Sequence, residues 1–266
     1  MSRGSILLPL HGEGGSSQGL ETGGAAAAYP TRSPRRGDIP PHKGEGEGAD
    51  LRHIRSWIFD LDDTLYPPES RFMGLIQQRI NDYVVRTAGL PAEQAMTVQK
   101  VYLRDYGTSL AGLMTHYRID PHDFLAEVHD VPLDRLAPDP GLRAALERLD
   151  GPRIVFTNGS MAHARRVLDR LELADLFDGL FSLEDADLIP KPDPRTFARM
   201  TDRFDLDPTS AAFFEDTVRN LAPAHALGMT TVLVGPHAHD ADTPFADHRA
   251  AALGPFLATA RLPGDA

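Results

Sequence analysis

Trp57-Ile58-Phe59-Asp60-Leu61-Asp62-Asp63-Thr64-Leu65-Tyr66 decides how the rest of the chain is read, because an apolar run stops there abruptly in acids. A short apolar run with no polar alternation suits a strand buried on both faces. Successive strand side chains point to opposite faces, so a chain that stays extended past Phe59 projects Asp60 and Asp62 into the same cleft. Two carboxylates that close repel unless a cation lies between them or one is protonated. An all-oxygen acidic site of this kind suits Mg2+. The same ten residues also read as a strand followed by an acidic turn, since Asp is common in turns.

Outward from this stretch, apolar strand candidates alternate with helical segments. Arg153–Thr157, Ala211–Phe214 and Thr230–Val234 read as further strands, and Ala162–Leu171 and Pro194–Phe204 read as helices between them. That alternation predicts an α/β fold with a doubly wound parallel sheet. Ligands in such folds bind at the carboxyl ends of the strands. Three strand candidates end in residues suited to chemistry: Asp60, Thr157, and Glu215 with Asp216.

The connection from Phe59 to Arg153 is far longer than a crossover helix requires. Residues 69–137 read as an inserted helical cap subdomain, with apolar spacing at Phe72, Leu75, Ile76, Ile80 and Val84 and further helices over Ala92–Tyr106, Leu110–Tyr117 and Pro121–Val128. Pro67-Pro68 and Pro138-Asp139-Pro140-Gly141 punctuate its two ends. The core then comprises residues 51–68 and 138–266. Residues 1–50, rich in Gly, Ser, Pro and Ala, read as a disordered tail whose composition cannot offset its ordering entropy.

Composition narrows the function. The chain has 266 residues, 41% of them hydrophobic, which suffices for a sizeable core. It has no cysteine, which removes disulfides, thiolate metal sites and a cysteine nucleophile. A formal net charge of -11 argues against a nucleic-acid polymer as partner, because phosphate backbones bind clustered Lys and Arg. No apolar stretch approaches the roughly 20 residues that span a bilayer, so no membrane partner is expected and the cytoplasm is the expected location.

Asp60-Leu61-Asp62-Asp63-Thr64-Leu65, Thr157-Asn158-Gly159, Lys191-Pro192 and Phe214-Glu215-Asp216-Thr217 resemble, in order, the four motifs of the haloacid dehalogenase-like superfamily. An insertion between the first two motifs resembles members with a helical cap. Tyr66, the Asp105-Tyr106-Gly107-Thr108 segment and Asp216-Thr217-Val218-Arg219-Asn220 look like the pyrimidine 5'-nucleotidase branch.

The resemblance implies a Mg2+-dependent phosphomonoester hydrolase that works through an aspartyl-phosphate on Asp60. Asp62 is then the acid and base. Thr157, Asn158 and Lys191 bind the phosphoryl oxygens or offset their charge. Asp60, the Asp62 carbonyl and Asp216, with Glu215, would hold the metal. Glu215 stands where several nucleotidase relatives have Asp. The implied substrate is a small phosphate ester, a pyrimidine nucleoside 5'-monophosphate above all, with Tyr106 as the candidate to face its base. A phosphosugar phosphatase or mutase shares these core residues. Haloacid dehalogenation needs neither Asp62 nor an acidic metal site. A non-catalytic phospho-switch or scaffold is the reading from another class, although in a receiver-type switch the lysine comes last, whereas Lys191 precedes Glu215 and Asp216. His237-Ala238-His239-Asp240 has the look of metal ligands but lacks a distant partner of fitting spacing.

Overall fold

A computed structural model describes residues 48–265; the expected tail over residues 1–50 lies almost wholly outside them. Six strands form one sheet in the order β3-β2-β1-β4-β5-β6, all parallel. They are β1 (Ser56–Phe59), β2 (Arg153–Phe156), β3 (Gly179–Phe181), β4 (Ala211–Glu215), β5 (Thr230–Val234) and β6 (His248–Ala250). The order runs outward from β1 in one direction and from β4 in the other. The point of reversal, where a doubly wound sheet opens a crevice, therefore lies between β1 and β4.

The strands read as continuous apolar runs because both faces are covered. Along β1, Trp57 and Phe59 enter one hydrophobic cluster and Ile58 the other. Phe214 and Phe213 divide in the same way along β4. The first cluster takes Leu142 and Leu146 of α5 (Pro140–Glu147), Val167 of α6 (Met161–Arg170) and Leu257 of α9 (Leu253–Thr259). The second takes Phe197 and Met200 of α7 (Pro194–Arg203) and Leu221 and Ala224 of α8 (Val218–Ala226). Phe59 and Phe214 are paired in register and their rings stack at 4.8 Å, which locks the two strands that flank the crevice.

Four helices fill the connection from β1 to β2: α1 (Phe72–Ala88), α2 (Ala92–Tyr106), α3 (Ser109–His116) and α4 (Pro121–His129). They bury a separate cluster, including Tyr83, Val84, Tyr102, Leu113, Phe124 and Val128, which Leu183 from the segment after β3 joins. Phe72 and Ile76, at the start of α1, belong instead to the cluster under the sheet. One helix thus serves two cores. Gly112 allows the close approach of α2 and α3, since a Cβ there would meet the Tyr102 ring carbon at 2.2 Å. Asn81 and Gln99, both buried, pair at 2.8 Å between α1 and α2. Among the described residues no helix is long and apolar enough to cross a membrane.

β3 and β6 are additions to the four strands read from the sequence. Each has three residues, too few to show a period, and β3 opens on a glycine while β6 opens on His248 and Arg249.

Candidate active site

The ladder carries the functional side chains to one rim. Asp60 N–H donates to the Phe214 carbonyl at 2.9 Å and Thr157 N–H to the Phe181 carbonyl at 2.9 Å, so each residue continues its strand by one position. Asp60, Thr157 and Glu215 are all buried there.

Lys191 comes from the loop before α7, beside a proline. The structure buries it to 1% exposure. Its ammonium donates to Asp60 Oδ1 at 2.6 Å, Glu215 Oε2 at 2.8 Å and the Phe156 carbonyl at 2.8 Å. These bonds use all three N–H donors of the group, the condition for keeping such a charge out of water. The Phe156 and Phe213 rings lie 4.9 and 5.4 Å from Nζ.

The loop itself is held by Asn158. Its side-chain amide donates to the Lys191 carbonyl at 3.1 Å and accepts from Lys191 N–H at 2.8 Å. The loop after β2 and the loop that carries the lysine are thereby joined face to face. Thr157 Oγ1 accepts from Gly159 N–H at 2.8 Å, an arrangement that leaves the hydroxyl hydrogen available to a further acceptor.

Asp60, Glu215 and Asp216 form the one group among the described residues with metal-ligating spacing, their oxygens lying within 4.8 Å of one another. Three carboxylates face a single ammonium. Burial, and Glu215 beside it, push Asp60 up to about 8 against the pull of Lys191. Burial pushes Glu215 up to about 7, with Asp216 adding to it, and pushes Asp216 up to about 6, with the charge of Asp60 adding to it. Such a cluster lacks positive charge, and its all-oxygen donors fit a hard divalent cation such as Mg2+. Glu215 already accepts on both oxygens, from Lys191 on Oε2 and from Thr217 N–H at 3.1 Å on Oε1. A cleft of about 600 Å³ opens against Asp216 and Asp63 and reaches Glu69, Arg71, Val218 and His237.

Asp62 Oδ1 accepts from the Tyr66 hydroxyl at 2.7 Å and from His163 Nε2 at 2.9 Å. Burial alone would raise Asp62, but His163 and Tyr66 together hold it below the ordinary carboxylate range. Asp63 takes φ +58°, a left-handed turn position that Asp tolerates.

Tyr106 ends α2, half-buried; its hydroxyl is hydrogen-bonded to His116 Nε2 at 2.8 Å and its ring meets the Tyr102 ring edge-on at 5.8 Å. Arg219 of α8 donates to the Leu103 carbonyl at 2.6 Å and the Gly107 carbonyl at 3.0 Å, which ties the end of α2 to the strand-end rim. His237 is 89% exposed and its one acidic neighbour is Asp240 at 3.6 Å, no metal site.

His163, His129 and Arg219 escaped the sequence reading as functional residues. His163 lies 101 positions from Asp62, and nothing in its neighbourhood distinguishes it from a core histidine. Arg219 stands in Asp216-Thr217-Val218-Arg219-Asn220, where the sequence gives it no role of its own.

Residues 54–228 match the model of the haloacid dehalogenase-like hydrolases. The chain is 30% identical over 195 residues to phosphate metabolism protein 8 of Saccharomyces cerevisiae, a match that covers 66% of this chain and 60% of the yeast protein, under two thirds of that relative's length. Among solved structures, the HAD phosphatase of Thermococcus onnurineus superposes with a TM-score of 0.52 at 21% identity, covering 75% of this chain and 94% of that one. A HAD-type hydrolase of Bacillus subtilis solved with magnesium superposes with a TM-score of 0.50 at 16% identity, covering 75% of this chain and 95% of that one. At these identities the structural likeness speaks to the fold.

Proposed function

Because the chain belongs to the haloacid dehalogenase-like hydrolases, we propose that it is a Mg2+-dependent phosphomonoesterase that acts on small phosphate esters, nucleoside 5'-monophosphates first among them. The observation that carries this reading is the cluster of Asp60, Glu215 and Asp216, the first two of them bonded to one buried ammonium, with Asp62 beside them. A dehalogenase would use Asp60 alone and would gain nothing from a cation-demanding cluster.

In this reading Asp60 attacks phosphorus. The bond from Asp60 to phosphorus forms, the ester P–O bond breaks, and Asp62 passes a proton to the departing oxygen. Water then attacks the aspartyl-phosphate; Asp62 takes the water's proton, and the Asp60 carboxylate is released with inorganic phosphate. The Thr157 hydroxyl and the Asn158 N–H donate to the phosphoryl oxygens, and Lys191 holds Asp60 in place while balancing its charge. Mg2+ would be held by Asp60, Asp216 and the Asp62 carbonyl, with help from Glu215, and when bound it supplies the charge neutralisation that lets an anion approach an anion.

The four inserted helices serve as the cap that reads the leaving group, with Tyr106 near the junction of α2 and the rim. The preference for pyrimidine nucleotides rests on the resemblance of Tyr66, residues 105–108 and residues 216–220 to that branch. Phosphate release from a panel of nucleotides and sugar phosphates, with and without EDTA, tests the reading. Hydrolysis of nucleoside monophosphates that EDTA abolishes and Mg2+ restores is the expected result. Full activity in EDTA would overturn it, and a panel led by sugar phosphates would move the substrate to the phosphosugar class.

A further inference from the structure

Tyr66 and His163 both place their hydrogen bonds on the same oxygen of Asp62. Two donors occupy the outward lone pairs of Oδ1, so a proton that Asp62 gives or takes has its place on Oδ2. Oδ2 looks toward the turn after β2. A Cβ placed on Gly159 would lie 3.0 Å from His163 Cδ2, 3.2 Å from Thr157 Oγ1 and 3.6 Å from Asp62 Oδ2, so the free oxygen and the threonine hydroxyl both border a position without a side chain.

The His163 ring is itself fixed. It is 1% exposed, and the rings of His129 and Phe72 lie parallel to it, at 4.3 Å and 16° and at 6.0 Å and 3° respectively. His129 is held in turn by Ser160, whose Oγ lies 3.2 Å from its Nδ1, and by Arg166, which donates to the His129 carbonyl at 3.0 Å. His163 Nδ1 is buried with no hydrogen-bond partner. A proton there would have no acceptor, so the ring proton sits on Nε2 and faces Asp62. Phe72 opens α1 and His129 closes α4, whereas His163 belongs to α6. The inserted helices therefore help to aim an acid that stands in the turn after β1.

Resting on the phosphomonoesterase reading above, we infer that His163, seconded by Tyr66, is a positioning residue that fixes Asp62 so that Oδ2 exchanges its proton with the ester oxygen. It touches no reacting atom. Its loss should weaken proton transfer selectively, and the burden of a misplaced acid falls on esters whose leaving group needs the proton most.

The test compares kcat/KM for phenyl phosphate, whose leaving oxygen is basic, with that for para-nitrophenyl phosphate, whose leaving oxygen is not. Asp62→Asn sets the reference and should lose far more on phenyl phosphate. His163→Leu should show the same bias, losing roughly 10-fold more on phenyl phosphate than on the nitrophenyl ester, and His163→Gln, which can return an N–H to Oδ1, should recover most of it. Tyr66→Phe, which keeps the ring, tests the same oxygen if His163→Leu fails to fold and should show the bias in smaller measure. Equal losses on both esters in the His163 and Tyr66 variants, beside a biased Asp62→Asn, would show that they only support packing and would overturn this inference alone. An unbiased Asp62→Asn would remove the acid role of Asp62, and the reading beneath the inference with it.

Discussion

The rim at the strand ends and the helices inserted before β2 solve opposite problems. At the rim, Asp60, Glu215 and Lys191 are buried together, with Lys191 saturated by the two carboxylates and a carbonyl. The inserted helices bury aromatic and aliphatic side chains and leave Met96, Val101, Leu103 and Met114 exposed on α2 and α3. Misplacing a group at the rim leaves charge without a partner, which costs several kcal/mol. Substituting a side chain among the helices costs packing, which neighbours can partly recover. Under the proposed function, the rim is the place where residue identity dictates chemistry, and the helices are where identity is free to tune recognition.

The contrast breaks most visibly at Asp60. Asp60→Asn keeps the shape of the side chain but neither attacks phosphorus nor binds a cation well, so turnover should fall by about four orders of magnitude while the circular dichroism spectrum stays unchanged. Residual activity above about a tenth of wild type would defeat the nucleophile assignment.

The cation deficit at the rim sets a pH dependence of metal binding. Asp60, Glu215 and Asp216 are raised to about 8, 7 and 6 in the metal-free fold, so each holds its proton to a higher pH than it would in the unfolded chain. Raised folded-state values make the metal-free protein lose stability as pH climbs through this window, and bound Mg2+ must displace the same protons. Affinity measured by titration calorimetry should therefore rise about 100-fold between roughly pH 6 and pH 8 and level off above. An affinity that does not change over that range would mean that the triad is already ionised and the deficit imaginary.

Among the helices the effects shrink. Tyr106→Ala should lower kcat/KM for nucleoside monophosphates by about 10-fold and for para-nitrophenyl phosphate by less, because binding energy from a remote part of a substrate positions the reacting phosphate. Equal losses across pyrimidine nucleotides, purine nucleotides and the generic ester would return Tyr106 to a packing role with Tyr102 and His116. Smallest of all is the cap of α5, where Asp139 accepts from Gly141 N–H at 2.8 Å and Leu142 N–H at 3.2 Å as the chain returns from the insertion. Asp139→Ala should cost about 1 kcal/mol in denaturant titration and leave turnover unchanged. A fall in kcat of the same proportion would tie this return segment to the chemistry.

Much of the rim was legible before any coordinates because strand ends concentrate what a sequence displays well. Trp57-Ile58-Phe59 and Ala211–Phe214 are apolar runs with acids at their ends, and β1 and β4 do lie side by side at the reversal of the sheet. Side-chain destinations were less legible. Nothing in Thr157-Asn158-Gly159 announces that the Asn158 side-chain amide clasps the Lys191 backbone. The bond from His163 to Asp62 joins positions 101 apart, and only the packing of α6 against the rim brings them together. Tyr106 could be located on a helix from spacing alone, but its hydrogen bond to His116 depends on how α2 and α3 turn toward each other.

The double allegiance of α1 bears on how such an enzyme could be taken apart and rebuilt. Pro67-Pro68 looks in the sequence like a natural seam for exchanging one substrate-reading module for another. A graft cut there would carry Phe72 and Ile76 away from the cluster beneath the sheet and Phe72 away from the His163 ring. A donor module therefore has to bring an opening helical turn whose shape suits the recipient's sheet as well as its own interior. Modular inheritance in this architecture is constrained less by the loops at the junction than by the first turns of a helix that both parts need.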